Sequence, residues 1–124
     1  MRMIHGEEVY GAVMDDETRC AHYNSHLDVI AIKFKCCGRW FPCRECHDER
    51  EKHEAETWSD SEFLTKAVLC GVCGAPMSID DYLNCDNKCP ACSRKFNPGC
   101  ANHYHLYFDI GNLSKEQIRP ERTR

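Results

Sequence analysis

Four cysteines in the second half of the chain carry the sharpest chemical signal. Cys70, Cys73, Cys89 and Cys92 read C-x2-C-x15-C-x2-C, the separation at which two C-x-x-C turns close a tetrahedron of sulfurs around one zinc ion. Gly71 and Gly74 flank the first pair and Pro90 stiffens the second, so both segments carry turn chemistry.

The first half supplies a denser set: Cys20 and His22, Cys36 and Cys37, Cys43 and Cys46, His47 and His53. Eight such ligands make two four-coordinate sites. Cys46 and His47 are adjacent, and neighbouring side chains on extended chain point opposite ways, so the pair is expected to serve two different ions. The preferred division puts Cys20, His22, Cys43 and Cys46 on one zinc and Cys36, Cys37, His47 and His53 on the other, with His47 and His53 at a usual zinc-histidine spacing. This division asks most of Cys36 and Cys37, which share an ion only if the chain turns there. Gly38 follows them and tolerates the positive φ of such a turn. Spacing alone does not divide these two cysteines between the sites.

Cys85, Cys100, His103 and His105 are left over. They admit three readings: a fourth zinc site, packed or hydrogen-bonded structural residues, or a reactive thiol at Cys85 or Cys100. His5 and His26 have no spacing partner and read as surface residues.

The elements that must position these ligands are short. Residues 1–19 are polar, with Asp15-Asp16-Glu17 as a solvated turn in an extended lead-in. DVIAIKFK, residues 28–35, places Ile30, Ile32 and Phe34 opposite Ala31, Lys33 and Lys35, a half-buried strand. His47 to about Trp58 is charged at helical neighbour spacings and is expected to form one short exposed helix. Phe63 to Leu69 is ambiguous between strand and helix. HYHLYF, residues 103–108, alternates like a strand, and the segment after Gly111 is a polar, frayed tail. Trp40, Phe41, Trp58 and Phe63 flank the ligands and are expected to supply core packing rather than a partner face. The expected organisation is a lead-in over 1–17, a ligand-bearing domain over 18–110 (a Cys/His lobe to residue 60, then a four-cysteine lobe with a terminal strand) and a tail over 111–124.

Composition supports metal over disulfides. The 42% hydrophobic share includes 11 cysteines, leaving roughly a third of the chain truly apolar, a thin core that needs cross-links or metal. An odd thiol count cannot pair fully within one chain, and the N-terminus lacks a secretory apolar region. No apolar run approaches membrane-spanning length. The expected compartment is intracellular and reducing, with the cytoplasm preferred. The formal net charge of −4 falls to about −7 when nine thiolates hold three Zn2+ ions. Arg and Lys are dispersed, so no nucleic-acid partner is expected.

Cys20-Ala21-His22-Tyr23, then Cys36-Cys37, then CRECHDE over residues 43–49, with His53 and the paired C-x-x-C turns downstream, resembles the CHY zinc-finger family. The likeness runs over about residues 18–108. It implies a small, zinc-stabilised, irregular α+β fold around three zinc ions bound by the twelve residues named above. One branch of that family comprises RING-containing ubiquitin ligases with further cysteine-rich modules, whereas no cysteine or histidine follows His105 here. The segment FNPGCANHYHLYF resembles the ending of the short branch, which includes bacterial proteins and helpers of small Tim protein assembly in the mitochondrial intermembrane space. That compartment stands as the alternative, although the N-terminus has no Arg-rich presequence.

The functional expectation is a non-catalytic zinc-binding module that recognises another protein or helps its assembly. A thiol-redox or zinc-transfer helper acting on cysteine-rich clients is the rival. No H-E-x-x-H, phosphate loop or G-x-S-x-G occurs, and the fragments His47-Asp48-Glu49 and Pro42-Cys43-Arg44-Glu45-Cys46 stand in the reverse of the order a zinc deaminase needs.

Overall fold

The computed structural model describes residues 1–98 and 104–109. In chain order the elements are β1 (Arg2–Ile4), β2 (Glu7–Val9), β3 (Ile30–Lys33), β4 (Trp40–Phe41), α1 (Arg44–Arg50), a 3-10 turn (Asp60–Glu62), β5 (Lys66–Cys70), β6 (Pro76–Ser78) and α2 (Ile79–Leu83). The strands form one six-stranded sheet in the order β1-β2-β4-β3-β5-β6. Its pairings are antiparallel except β2 with β4. The β1–β2 hairpin, formed entirely by residues before the first cysteine, therefore belongs to the same sheet as the ligand-bearing strands.

β3 sits inside that sheet, with Ile32 opposite Phe41 on one side and Ile30, Ala31 and Ile32 opposite Cys70, Leu69 and Val68 on the other. Alternation along the strands sorts the core. Ile32, Phe34, Phe41 and Val68 join the main cluster with Met77, Ile79, Tyr82, Leu83, Phe96 and Phe108. Ala31, Trp40 and Leu69 point to the other face and pack with Ile4 and Val9 of the hairpin. β3 was expected to be half-buried, but the hairpin side chains cover Ala31 completely.

The short helix starts earlier and ends sooner than the charge pattern suggests. α1 is capped at its start by Cys43, whose sulfur accepts the Cys46 N–H at 3.3 Å, and ends where the Glu51 N–H reaches the His47 carbonyl. Residues 51–58 are not helical. A continuous helix would separate His47 from His53 by about 9 Å along its axis, so the chain must break to bring them together. Beyond this helix the chain forms α2, capped by Ser78, which accepts the Asp81 N–H at 3.0 Å. The ambiguous run before Cys70 resolves into β5.

The expected strand over residues 103–108 is not one. Tyr104 to Leu106 form a 3-10 turn, with the Tyr107 and Phe108 N–H groups both donating to the Tyr104 carbonyl, and Phe108 adds a single parallel bridge to Trp58. His103 lies outside the described residues, as does the tail from residue 110. Tyr104 and Phe108 are buried beside Tyr82, and both satisfy a helical spacing of four as well as the alternation of a strand. Trp40, Phe41 and Phe63 are buried, and the half-buried Trp58 donates its ring N–H to the Lys33 carbonyl at 2.8 Å. Among the described residues no helix is long and apolar enough to cross a membrane.

Candidate metal centres

Three loops share one backbone pattern. In Phe34–Arg39, Cys70–Ala75 and Cys89–Arg94, the first N–H donates to the sixth carbonyl and the fifth N–H donates back to the first carbonyl, all at 2.8–3.1 Å. The fifth residue has positive φ in each: Gly38 at 69°, Gly74 at 79° and Ser93 at 67°. Cysteines occupy the first and fourth positions of the latter two loops. In the first loop they occupy the third and fourth, and Phe34 fills the position of the missing sulfur. The turn required at Cys36 and Cys37 is thus the β3–β4 connection.

These loops, α1 with its cap, the segment after it that carries His53, and the segment around Cys20 bring twelve side chains into three groups. Cys20, His22, Cys43 and Cys46 form the first, Cys36, Cys37, His47 and His53 the second, and Cys70, Cys73, Cys89 and Cys92 the third; within each, one ligand atom per residue lies within 4.8 Å of the others. Cys36 and Cys37, which spacing alone does not divide between the sites, both lie in the second group.

The distances test whether zinc fits. Tetrahedral zinc with Zn–S near 2.3 Å and Zn–N near 2.0 Å has S···S edges of about 3.8 Å, S···N edges of about 3.5 Å and N···N edges of about 3.3 Å. In the first group the Cys20 and Cys43 sulfurs are 3.7 Å apart, and His22 Nδ1 lies 3.4, 3.4 and 3.8 Å from the sulfurs of Cys43, Cys46 and Cys20. In the second, His47 Nε2 lies 3.3 Å from His53 Nε2 and 3.2 Å from the Cys36 sulfur. In the third, Cys70 to Cys92 is 3.8 Å and Cys73 to Cys89 is 3.7 Å. Such spacings are far longer than the roughly 2.0 Å of a disulfide. Three sulfurs with one nitrogen, two sulfurs with two nitrogens, and four sulfurs are all donor sets that fit zinc.

Packed thiols titrate against one another. Hydrogen bonds from Cys43 and Cys46 pull the Cys20 thiol below its ordinary range, while Cys43 and Cys46, facing that thiolate, are pushed up. Burial raises Cys70, against the backbone N–H groups of Val72 and Cys73 that face its sulfur. One sulfur ionises at the expense of its neighbours, and a bound cation removes that competition.

Exposure differs among the groups. Cys20, Cys43 and Cys46 are buried, as are Cys70 and Cys89, whereas Cys73 and Cys92 are exposed. His47 is buried, stacked on Phe34 at 4.5 Å and set edge-on to Phe41 at 5.3 Å, while His53 lies at the surface.

Several supporting residues carry no signal in the sequence. His5 does lie at the surface, yet its Nε2 sits 2.9 Å from the Gly71 carbonyl in the third group's first loop. Tyr107 accepts the Arg44 N–H through its hydroxyl at 3.0 Å, satisfying a donor at the start of α1. Glu49 Oε2 lies 2.9 Å from His22 Nε2, and it raises the His22 pKa chiefly through that hydrogen bond. Asp48 Oδ1 lies 2.9 Å from His47 Nδ1. A carboxylate two residues from a ligand is visible in the sequence, but its pairing with a histidine far away in the chain is not.

Among the described residues, Cys85 and His105 join none of the three groups. Cys85 is half-buried against the main core and His105 is exposed. Cys100 and His103 lie outside the described residues.

The sequence is similar to one known family and to several known proteins. The family described as CHY zinc finger matches residues 20–98. The "Helper of Tim protein 13" of Kluyveromyces lactis is 43% identical over 101 residues, covering 82% of this chain and 88% of the relative. Its Saccharomyces cerevisiae namesake is 43% identical over 103 residues, covering 81% and 89%. An uncharacterized Schizosaccharomyces pombe protein is 38% identical over 101 residues, covering 82% and 88%.

Proposed function

Because the chain belongs to the CHY zinc-finger family and is a zinc-binding protein, we propose that it holds three Zn2+ ions in its three four-residue groups and acts as a non-catalytic helper in the assembly of other proteins. The observation that carries this reading is the convergence of twelve donor atoms into three closed sets at tetrahedral spacings. Zinc with four protein ligands has no open position for a substrate or water, so what it supplies is cross-linking of a thin core. Cys20, His22, Cys43 and Cys46 hold the first ion, Cys36, Cys37, His47 and His53 the second, and Cys70, Cys73, Cys89 and Cys92 the third.

The work of such a protein is done by the surface that the ions keep in shape. Two relatives named as helpers of a Tim protein support Tim-type proteins as the client class, and hence the mitochondrial intermembrane space as the place of action. Two measurements test the reading. Metal analysis of the purified chain is expected to give three zincs per molecule. Expression in Saccharomyces cerevisiae lacking its own Helper of Tim protein 13 is expected to restore Tim protein assembly, whereas the Cys73→Ser variant does not. A chain with fewer than three zincs, or one that restores nothing, overturns the corresponding part. Ready zinc release with disulfide formation under a mild oxidant would instead favour the thiol-redox role.

A further inference from the structure

One short stretch of α1, Cys46-His47-Asp48-Glu49, touches two of the three groups twice. Cys46 faces the first group and His47 the second. The next two residues then return in the opposite order: Asp48 Oδ1 meets His47 Nδ1 at 2.9 Å, and Glu49 Oε2 meets His22 Nε2 of the first group at 2.9 Å. The two carboxylates thus engage opposite nitrogens on the two rings. In both cases the other nitrogen is the one aimed at the cysteines: Nδ1 of His22, 3.4 Å from the Cys43 and Cys46 sulfurs, and Nε2 of His47, 3.2 Å from the Cys36 sulfur.

We infer that Glu49 and Asp48 are positioning residues that fix the tautomer and orientation of His22 and His47, so that His22 binds its ion through Nδ1 and His47 through Nε2. The inference rests on the ligand assignment proposed above. Its chemistry is simple: a neutral imidazole has one N–H and one lone pair, and an ionised carboxylate only accepts. The nitrogen facing the carboxylate must therefore carry the hydrogen, and the lone pair is left on the nitrogen facing the sulfurs. Asp48 is itself held by the Arg44 guanidinium at 2.9 and 3.1 Å. Among the described residues, His53 has no equivalent carboxylate contact. The Glu51 carboxylate is 3.9 Å away and is engaged by Arg39 at 2.9 and 3.0 Å. Of the three histidines, two are fixed by a short carboxylate contact and one is not.

The test uses the full zinc-loaded chain and its Glu49→Gln and Asp48→Asn variants, with Glu56→Gln as a surface control. The Glu49 and Asp48 side chains are 64% and 49% exposed, so their neutral isosteres leave the core intact. Nitrogen NMR of the imidazoles is expected to show a protonated Nε2 on His22 and a protonated Nδ1 on His47, each with zinc on the other nitrogen. In competition with a chelator, Glu49→Gln is expected to weaken one of the three ions by roughly tenfold to a hundredfold and Asp48→Asn to weaken a different one by a similar factor, with Glu56→Gln behaving as wild type. If wild-type His22 and His47 bind zinc with the stated nitrogens but both variants retain it unchanged, the positioning role is overturned while the ligand assignment stands. Zinc on the opposite nitrogens also overturns the positioning role, and no zinc on either ring overturns the assignment as well.

Discussion

Gly11 lies so close to Cys46 that a Cβ built on the glycine would sit 2.6 Å from the cysteine Cβ and 2.9 Å from its sulfur. The neighbouring atoms belong to a buried residue in the first turn of α1. Gly11 also has φ of 104°, a conformation costly for any side chain. Gly11→Ala is therefore expected to displace Cys46 and to destabilise the zinc-loaded chain by about 1–3 kcal/mol. Denaturant unfolding checks the stability, and metal analysis should find the first group depleted while the third stays filled.

The three matched loops make the same demand at one position but meet it with different residues. Ser93 adopts the positive φ that Gly38 and Gly74 supply elsewhere. Ser93→Gly should relieve about 1–2 kcal/mol of backbone strain against about 0.5–1 kcal/mol of added unfolded-state entropy, a net gain of about 0.5–1 kcal/mol. Gly74→Ala should cost more than that gain, since its Cβ would also lie 2.6 Å from the Cβ of His5. Unfolding midpoints of the zinc-loaded variants measure both effects.

Exposure should order the loss of metal. The third group presents Cys73 and Cys92 to solvent, whereas all three thiols of the first are buried. A thiol-alkylating reagent added with a mild chelator is expected to modify Cys73 and Cys92 before Cys20, Cys43 or Cys46, as read by peptide mass mapping. Complete metal removal, or Cys73→Ser, is expected to unfold the region around β5, β6 and α2, since metal binding and folding are linked in cores this small. A native-like near-ultraviolet circular dichroism spectrum for the metal-free chain would contradict this.

Glu62 provides a pH-dependent contribution away from the metal. Its carboxylate accepts from Lys35 Nζ at 2.7 Å and from the Ser59 N–H and hydroxyl at 2.9 Å, and the Lys35 bond foremost holds its pKa down to about 2 from an ordinary 4.5. A depressed folded-state pKa adds stability that is complete above the unfolded value and fades as pH falls toward the folded one. The stability advantage of wild type over Glu62→Gln should accordingly shrink as pH is lowered from about 6 toward 4. A constant difference in urea midpoint across that range would refute the linkage.

The C-x2-C pairs are the most legible feature of the sequence because their chemistry is local: one turn sets two sulfurs, and spacing reports it. The grouping of Cys36 with Cys37 is less legible, because it depends on a β3–β4 turn that adjacency alone does not announce. The start of α1 is hidden for a related reason. Its cap is Cys43, which spacing identifies as a ligand rather than as a helix boundary. The run from His103 misleads differently, since buried Tyr104 and Phe108 suit either a strand or a helical turn. What no local pattern conveys is the N-terminal hairpin's role: His5 meets Gly71 across 66 positions of sequence.

That separation has a consequence for how the protein is made. A chain emerging amino end first exposes β1 and β2 early, but the Gly71 carbonyl that meets His5 emerges 66 residues later. The hairpin is too short to be stable alone, and its cover over Ala31 and Leu69 requires β5. The two hairpin strands can therefore settle only after β5 and the loop that follows it have emerged.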